Sequence, residues 1–303
     1  MNTDFPEDFF PATHNYYRYI NSIELGKKLS KEKSILFCGV VRNAELYIER
    51  NILRILRTVS EFKNYHIFIY ENDSNDQTRE ILNKLSNSNS NITVQCEDNV
   101  PNDYLHTFSS GEDANNSLRS NMIARCRNKY LDFLSTNNKY DYVCILDLDI
   151  RGGWSYDGFY DSIALLESKE DIACVSAYGI LSEHNNKFPI EQVEKSKYLM
   201  YDSFAFRPYN YNQEPSSMLQ ASANHFKTSR GDQPLIVNSN FNGIAIYRPR
   251  YLLDKKYSIK IYQNNFVDCD HVVIHEQIRN EKGKILLNPN LIVLYSHHRY
   301  SQI

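Results

Sequence analysis

The stretch Tyr140-Asp141-Tyr142-Val143-Cys144-Ile145-Leu146-Asp147-Leu148-Asp149-Ile150 decides how this chain is read. The run from Val143 to Leu146 is apolar throughout, which predicts a central strand covered on both faces. Asp147 and Asp149 follow two residues apart, so an extended backbone points both carboxylates the same way. Like charges so placed repel. A divalent cation with hard oxygen ligands, Mg²⁺ or Mn²⁺, is the usual reason to keep them together. The alternative is a solvated strand end that is merely acidic.

Upstream, the apolar stretch 34–41 predicts a buried parallel strand, followed by Arg42 and Asn43 and a helix over 46–62. A second strand at 66–70 ends in Glu71-Asn72-Asp73-Ser74, and a helix follows over 78–85. This is the opening of a parallel α/β sheet, whose ligands sit beyond the carboxyl ends of the strands. Arg42, Glu71 and the Asp147/Asp149 pair all fall at such ends. A short strand at 92–95, a polar loop from 98 to 117 and a helix over 118–134 bearing Arg119, Arg125 and Arg127 complete the first half.

Downstream, Arg151-Gly152-Gly153-Trp154 reads as a tight turn that lets backbone approach a ligand. A helix over 157–167 and a strand at 172–177 follow, and 209–231 reads as a mobile loop over the cleft. Phe241-Asn242-Gly243 is a turn leading into a strand, with a simple hairpin as its plain alternative. Asp268 and Asp270 head a helix, where either could serve as an N-cap. Short strands at 285–287 and 291–295 end the fold before His297 and His298, which are either a wet tail or imidazoles brought to the carboxylate pair.

Composition narrows the classes. The 303 residues carry a net charge of -3, so no basic field argues for nucleic acid. Six scattered cysteines without a Cys-x-x-Cys pair fit a reducing compartment. The N-terminus shows neither a basic n-region nor a long apolar run, so a soluble, cytoplasmic protein without a transmembrane segment is expected. Twenty-three tyrosines suit a wet binding surface such as a carbohydrate cleft. Without internal repeat or Gly/Pro linker, the expected organisation is one domain over 34–303 preceded by an N-terminal helical arm over 1–33.

Taken together, the motifs resemble the glycosyltransferases of the GT-A fold. Tyr70-Glu71-Asn72-Asp73-Ser74-Asn75-Asp76-Gln77-Thr78 is similar to the nucleotide-contacting turn of the large family-2 transferases. Ala124-Arg125-Cys126-Arg127-Asn128 resembles their Ala-Arg-Asn helix, and Asp147-Leu148-Asp149 their metal motif. With Tyr201-Asp202-Ser203-Phe204-Ala205-Phe206-Arg207, the set resembles the fungal capsule α-mannosyltransferases.

The resemblance implies a Rossmann-like, mixed and mainly parallel sheet flanked by helices. It also implies transfer of a sugar from a nucleoside-diphosphate sugar, GDP-mannose or a UDP-sugar, to a glycan, lipid-linked or protein-linked hydroxyl. Asp147, Asp149, His297 and His298 would serve the metal, Mn²⁺ or Mg²⁺. Val41, Arg42, Glu71, Asp73, Arg127, Asp147, Trp154, Asn242 and Gly243 would line the donor site. Asp270, with Asp202 competing, would face the acceptor hydroxyl. Rival readings are a sugar-1-phosphate nucleotidyltransferase, against which the non-glycine-rich Val40-Val41-Arg42-Asn43-Ala44 counts, and an inactive nucleotide-sugar-binding module.

Overall fold

The structure, a computed structural model, describes residues 5–99, 117–182, 197–211, 216–263 and 267–295. After helix α1 (Tyr16–Ser30) the chain alternates through β1 (Ser34–Val41), α2 (Ile48–Thr58), β2 (Asn64–Asn72), α3 (Thr78–Ser88), β3 (Ile92–Glu97), α4 (Ser117–Thr136) and β4 (Tyr142–Leu146). A two-residue strand, β5 (Gly153–Trp154), precedes α5 (Tyr156–Ser168), β6 (Ile172–Ser182), β7 (Tyr198–Met200), β8 (Arg207–Pro208) and α6 (Ser217–Asn224). The remainder comprises β9 (Leu235–Ser239), β10 (Ile244–Tyr247), the paired β11 (Lys260–Ile261) and β12 (Val267–Asp268), α7 (Asp270–Asn280) and β13 (Lys284–Leu294).

The main path of the sheet runs β3-β2-β1-β4-β10-β6-β13-β9-β8. β1 is parallel to β2 and β4, β2 to β3, and β6 to β13, while β10 lies antiparallel between β4 and β6. The result is a mixed, mainly parallel sheet, as the resemblance implies. Alternation along each strand feeds two cores. Leu36, Cys38, Val143 and Ile145 pack on one face with Met122, Tyr130 and Leu134 of α4 and Ile274 and Ile278 of α7. Ile35, Phe37, Tyr142 and Cys144 pack on the other with Ile52 and Ile55 of α2 and Phe159 and Ile163 of α5. A strand buried on both faces has no polar side, which is why these segments read as continuous apolar runs. Among the described residues no helix is long and apolar enough to cross a membrane.

Three segments differ from their sequence reading. The two short C-terminal strands are one, β13, with a register shift between Leu287 and Ile292. Pro289 cannot donate to the ladder, and the irregularity absorbs it. Asn288 and Asn290 are buried there, and both donate to Asp161 Oδ2 of α5, at 2.8 and 2.9 Å. The loop expected over 209–231 contains α6. β9 and β10, which flank Asn242-Gly243, do not pair with each other, so that turn is not a hairpin.

Helix α1 sits so close to α5 that a Cβ on Gly26 would come within 1.8 Å of the Tyr160 carbonyl oxygen. Backbone cannot give way as a side chain can. Gly26→Ala is therefore expected to lower unfolding stability by about 1–3 kcal/mol, read as a denaturant midpoint. An unchanged midpoint would mean that α1 does not rest on α5.

Candidate active site

The carboxyl ends of β1, β2 and β4 open into a cleft of about 390 Å³ between α4 and the start of α7. Val41 and Arg42 close one wall, and Asp147, Asp149, Asp202 and Asp270 lie on its floor and far side. Six residues singled out from the sequence thus meet, together with Arg127, although they come from five separate stretches of chain.

The pair that ends β4 is held by an aromatic clasp. Tyr295, just past β13, donates its hydroxyl to Asp149 Oδ2 at 2.7 Å. Tyr201 donates to Asp147 Oδ2 at 3.4 Å, and the two phenol rings stack with centroids 3.6 Å apart. The Asp147 backbone N–H donates to the Gly243 carbonyl at 2.9 Å. Burial pushes the Asp147 carboxyl up to about 8; Arg127 opposes the shift, and Asp149, Asp202 and Asp270 reinforce it. The Asp149 carboxyl is raised too, by the low-polarity surroundings of the cleft floor, although its side chain opens to solvent. Two carboxylates that resist ionising side by side are a site short of positive charge.

Arg127 of α4 supplies part of that charge. Its Nη1 donates to both oxygens of Asp270 at 2.8 Å, and its Nη2 lies 3.5 Å from Asp147 Oδ1. The guanidinium packs over Phe241 at 5.2 Å and Tyr257 at 5.9 Å. Burial works against its charge, but Asp270 and Asp147 override it, and the net shift is well upward. Asp202 accepts from the backbone N–H of Ala205 at 3.2 Å and of Asn242 at 3.4 Å, and burial raises its carboxyl above the usual range. Arg42 has a buried Nε without a partner among the described residues.

Other candidates lie elsewhere. Glu71 ends β2 fully buried, accepting from Ser74 N–H at 2.8 Å and from Arg79 Nε at 2.6 Å, and it does not line the cleft. Its neighbour Asn72 does. Asp73 accepts from the Asn99 N–H at 2.8 Å. Trp154 is a core residue whose indole N–H donates to Thr58 Oγ1 at 3.0 Å. Asn242 and Gly243, at φ 54° and 89°, act behind the cleft: the Asn242 side chain accepts from the Asp202 N–H at 3.1 Å, and Gly243 holds the Asp147 backbone. Asp268 and Asp270 are not N-caps. Cys269 takes that position, and Asp268 is buried against Arg207 and the Tyr262 hydroxyl. His297 and His298 lie outside the described residues. Among those described, no group of three or more His, Cys, Asp and Glu side chains forms a metal cage.

The structure adds cleft residues that pattern reading missed. Tyr295 had only the tyrosine excess as a signal, and Tyr201 stood in the Tyr201–Arg207 motif without a role assigned to it. His271 is buried at the cleft wall, stacked on Phe241 at 3.8 Å, with neither ring nitrogen bonded to a described residue. Burial holds it neutral, well below the usual imidazole range, and Arg127 pushes the same way.

Solved structures to which this chain is similar include a mannosyltransferase from Pyrobaculum calidifontis in complex with GDP-Man and Mn²⁺ (10% identity, TM-score 0.46). Also similar are GalNAc-T7 with UDP, GalNAc and Mn²⁺ (12%, 0.48) and TarS 1-349 from S. aureus (12%, 0.45). These matches cover 93%, 89% and 86% of this chain, but only 66%, 45% and 60% of the respective solved chains. No curated protein sequence matches. The sequence model of the family described as Cryptococcal mannosyltransferase 1 matches residues 34–277, from the first strand of the sheet into α7, and on that match the chain belongs to this family of glycosyltransferase enzymes.

Proposed function

We propose that this protein is a metal-dependent glycosyltransferase that moves a hexose-type sugar from a nucleoside-diphosphate sugar, GDP-mannose or a UDP-sugar, to a hydroxyl of a glycan, lipid-linked or protein-linked acceptor. The observation that carries the reading is the Asp147/Asp149 pair, facing one cleft with Arg127 and with Arg42, whose buried Nε has no partner among the described residues. The donor set fits Mn²⁺ or Mg²⁺. Two carboxylates without a closed cage among the described residues suit a hard cation that keeps positions free for phosphate oxygens. Such an ion would neutralise the charge that develops on the departing diphosphate.

The chain's own groups divide the remaining work. Arg42 and Arg127 offer forked donors to the diphosphate. Asp270 engages Arg127 through both oxygens, so its carboxylate is already occupied in holding the guanidinium. Asp202, raised by burial and held only by two long backbone contacts, is the better candidate for accepting the proton of the acceptor hydroxyl. The family's mannosyltransferase description favours GDP-mannose as donor. No observation favours a nucleotidyltransferase or an inactive binding module.

Calorimetry with GDP and UDP, with and without Mn²⁺, tests the reading. Binding of at least one nucleotide that Mn²⁺ strengthens is expected; if neither binds, the proposal fails. The terminal histidines are tested separately. Deleting residues 297–303 is expected to weaken Mn²⁺-dependent binding by about tenfold while leaving the thermal midpoint in place. Unaltered binding would return His297 and His298 to the status of tail.

A further inference from the structure

The segment that carries Asp149 is gripped from both sides. On one side the end of β13 and the residue just past it take its N–H groups: Arg151 N donates to the Tyr295 carbonyl and Gly152 N to the Leu294 carbonyl, both at 2.8 Å. On the other side α2 takes its carbonyls with side chains. The Asn51 amide donates at 2.8 Å to both Leu148 O and Ile150 O, so one side chain spans the residues on either side of Asp149. Arg54 Nη1 donates to Asn51 Oδ1 at 2.9 Å, and its two Nη groups reach Arg151 O and Gly152 O at 3.4 Å. Arg50 Nη2 adds a 2.7 Å bond to Arg151 O. Positions 51 and 54 are three apart on a helix and share a face.

Fold stability alone does not explain this choice of residues. Asn51 and Arg54 are 0% and 1% exposed, and Arg54 makes no ion pair with a described carboxylate. Burial holds its guanidinium down at about 10, with Arg50 adding to the shift. A buried charge without a counter-charge is costly, and an apolar side chain would pack the same space more cheaply. The neighbouring backbone is shaped to admit it: Gly153 has φ +92°, and a Cβ there would fall 2.8 Å from Arg54 Cζ.

We propose that Asn51 and Arg54 are positioning residues for Asp149, fixing the backbone of 148–152 so that the carboxylate is presented to the cleft in one place. This rests on the reading of Asp149 as a metal ligand. A carboxylate on a loose loop would have to be ordered at each binding event, and removing the groups that hold a ligand typically costs 10- to 100-fold in metal affinity.

The test compares Asn51→Leu and Arg54→Met with Ile52→Val, a core change on the same helix. Two quantities are read: GDP and UDP binding with and without Mn²⁺, and hydrogen exchange of the peptide spanning 147–154. Expected is a loss of about tenfold or more in Mn²⁺-dependent binding, with metal-free nucleotide binding unchanged and exchange in 147–154 accelerated. Ile52→Val should move neither. Wild-type Mn²⁺ dependence in both positioning variants would overturn the inference. If the wild type itself shows no Mn²⁺ dependence, the metal reading fails instead, and exchange decides alone, with unchanged protection in the variants removing the clamp as well. Should Arg54→Met not fold, Arg54→Lys keeps the charge but not the fork, and the same outcomes apply.

Discussion

Asp149→Ala is expected to abolish the Mn²⁺ dependence of nucleotide binding and to lower turnover at least about 100-fold, or ~2.7 kcal/mol of transition-state stabilisation. Of the two strand-end carboxylates, Asp149 opens to the cleft mouth, and its one close described partner is the Tyr295 hydroxyl. Asp147 is engaged by Arg127, by Tyr201 and through its backbone by Gly243. Removing Asp149 also removes a negative charge that raises the Asp147 carboxyl, so the metal-free protein should lose no thermal stability. Loss of function with an unchanged or higher midpoint separates a ligand from a structural residue. A variant that keeps its Mn²⁺ response would remove Asp149 from the site.

Arg127→Met is expected to destabilise the protein by about 3–5 kcal/mol, because it leaves Asp270 buried and without its bidentate partner. The cost arises mainly from the abandoned carboxylate. The double variant Arg127→Met with Asp270→Asn should therefore recover much of the stability, giving a coupling energy well outside additivity. Activity should not recover, since the diphosphate and Asp147 would still lack the guanidinium. Denaturant melts of the four cycle members measure the first claim and turnover measures the second. A single variant as stable as wild type, or a double variant no better than the single, would refute the buried-pair argument.

Much of this could be read from pattern. The strand over 34–41 was legible because each of its faces meets a separate core, and the helix over 118–134 because its apolar residues recur at helical spacing. The Asp147/Asp149 pair was legible as two carboxylates just past an apolar strand, but β4 ends at Leu146 and 148–149 form a turn, so it is the fold and not an extended period of two that turns both to one cleft. Glu71 shows the limit. Its place at a strand end resembles a nucleotide-contacting acid, yet Arg79, eight residues on, draws the carboxylate into the following turn. Trp154 sits beside a glycine turn that invites a ligand, but the hydroxyl of Thr58 pulls its indole into the core.

By itself, the sequence determined the order of the main strands and helices from β1 to β6, the strand ends at which polar residues collect and the pair of carboxylates to be explained. These are local properties, set by side-chain periodicity and burial within about ten residues. The tertiary structure alone decided who partners whom. Asp149 meets Tyr295 across 146 residues, and Arg127 meets Asp270 across 143. The antiparallel insertion of β10 between β4 and β6 carries the Gly243 carbonyl to the Asp147 backbone. Such contacts depend on the path of the chain through the sheet, and no short window of residues encodes that path. The same holds for Asn51, an ordinary polar residue on a helix until the fold lays the carbonyls on either side of Asp149 against it.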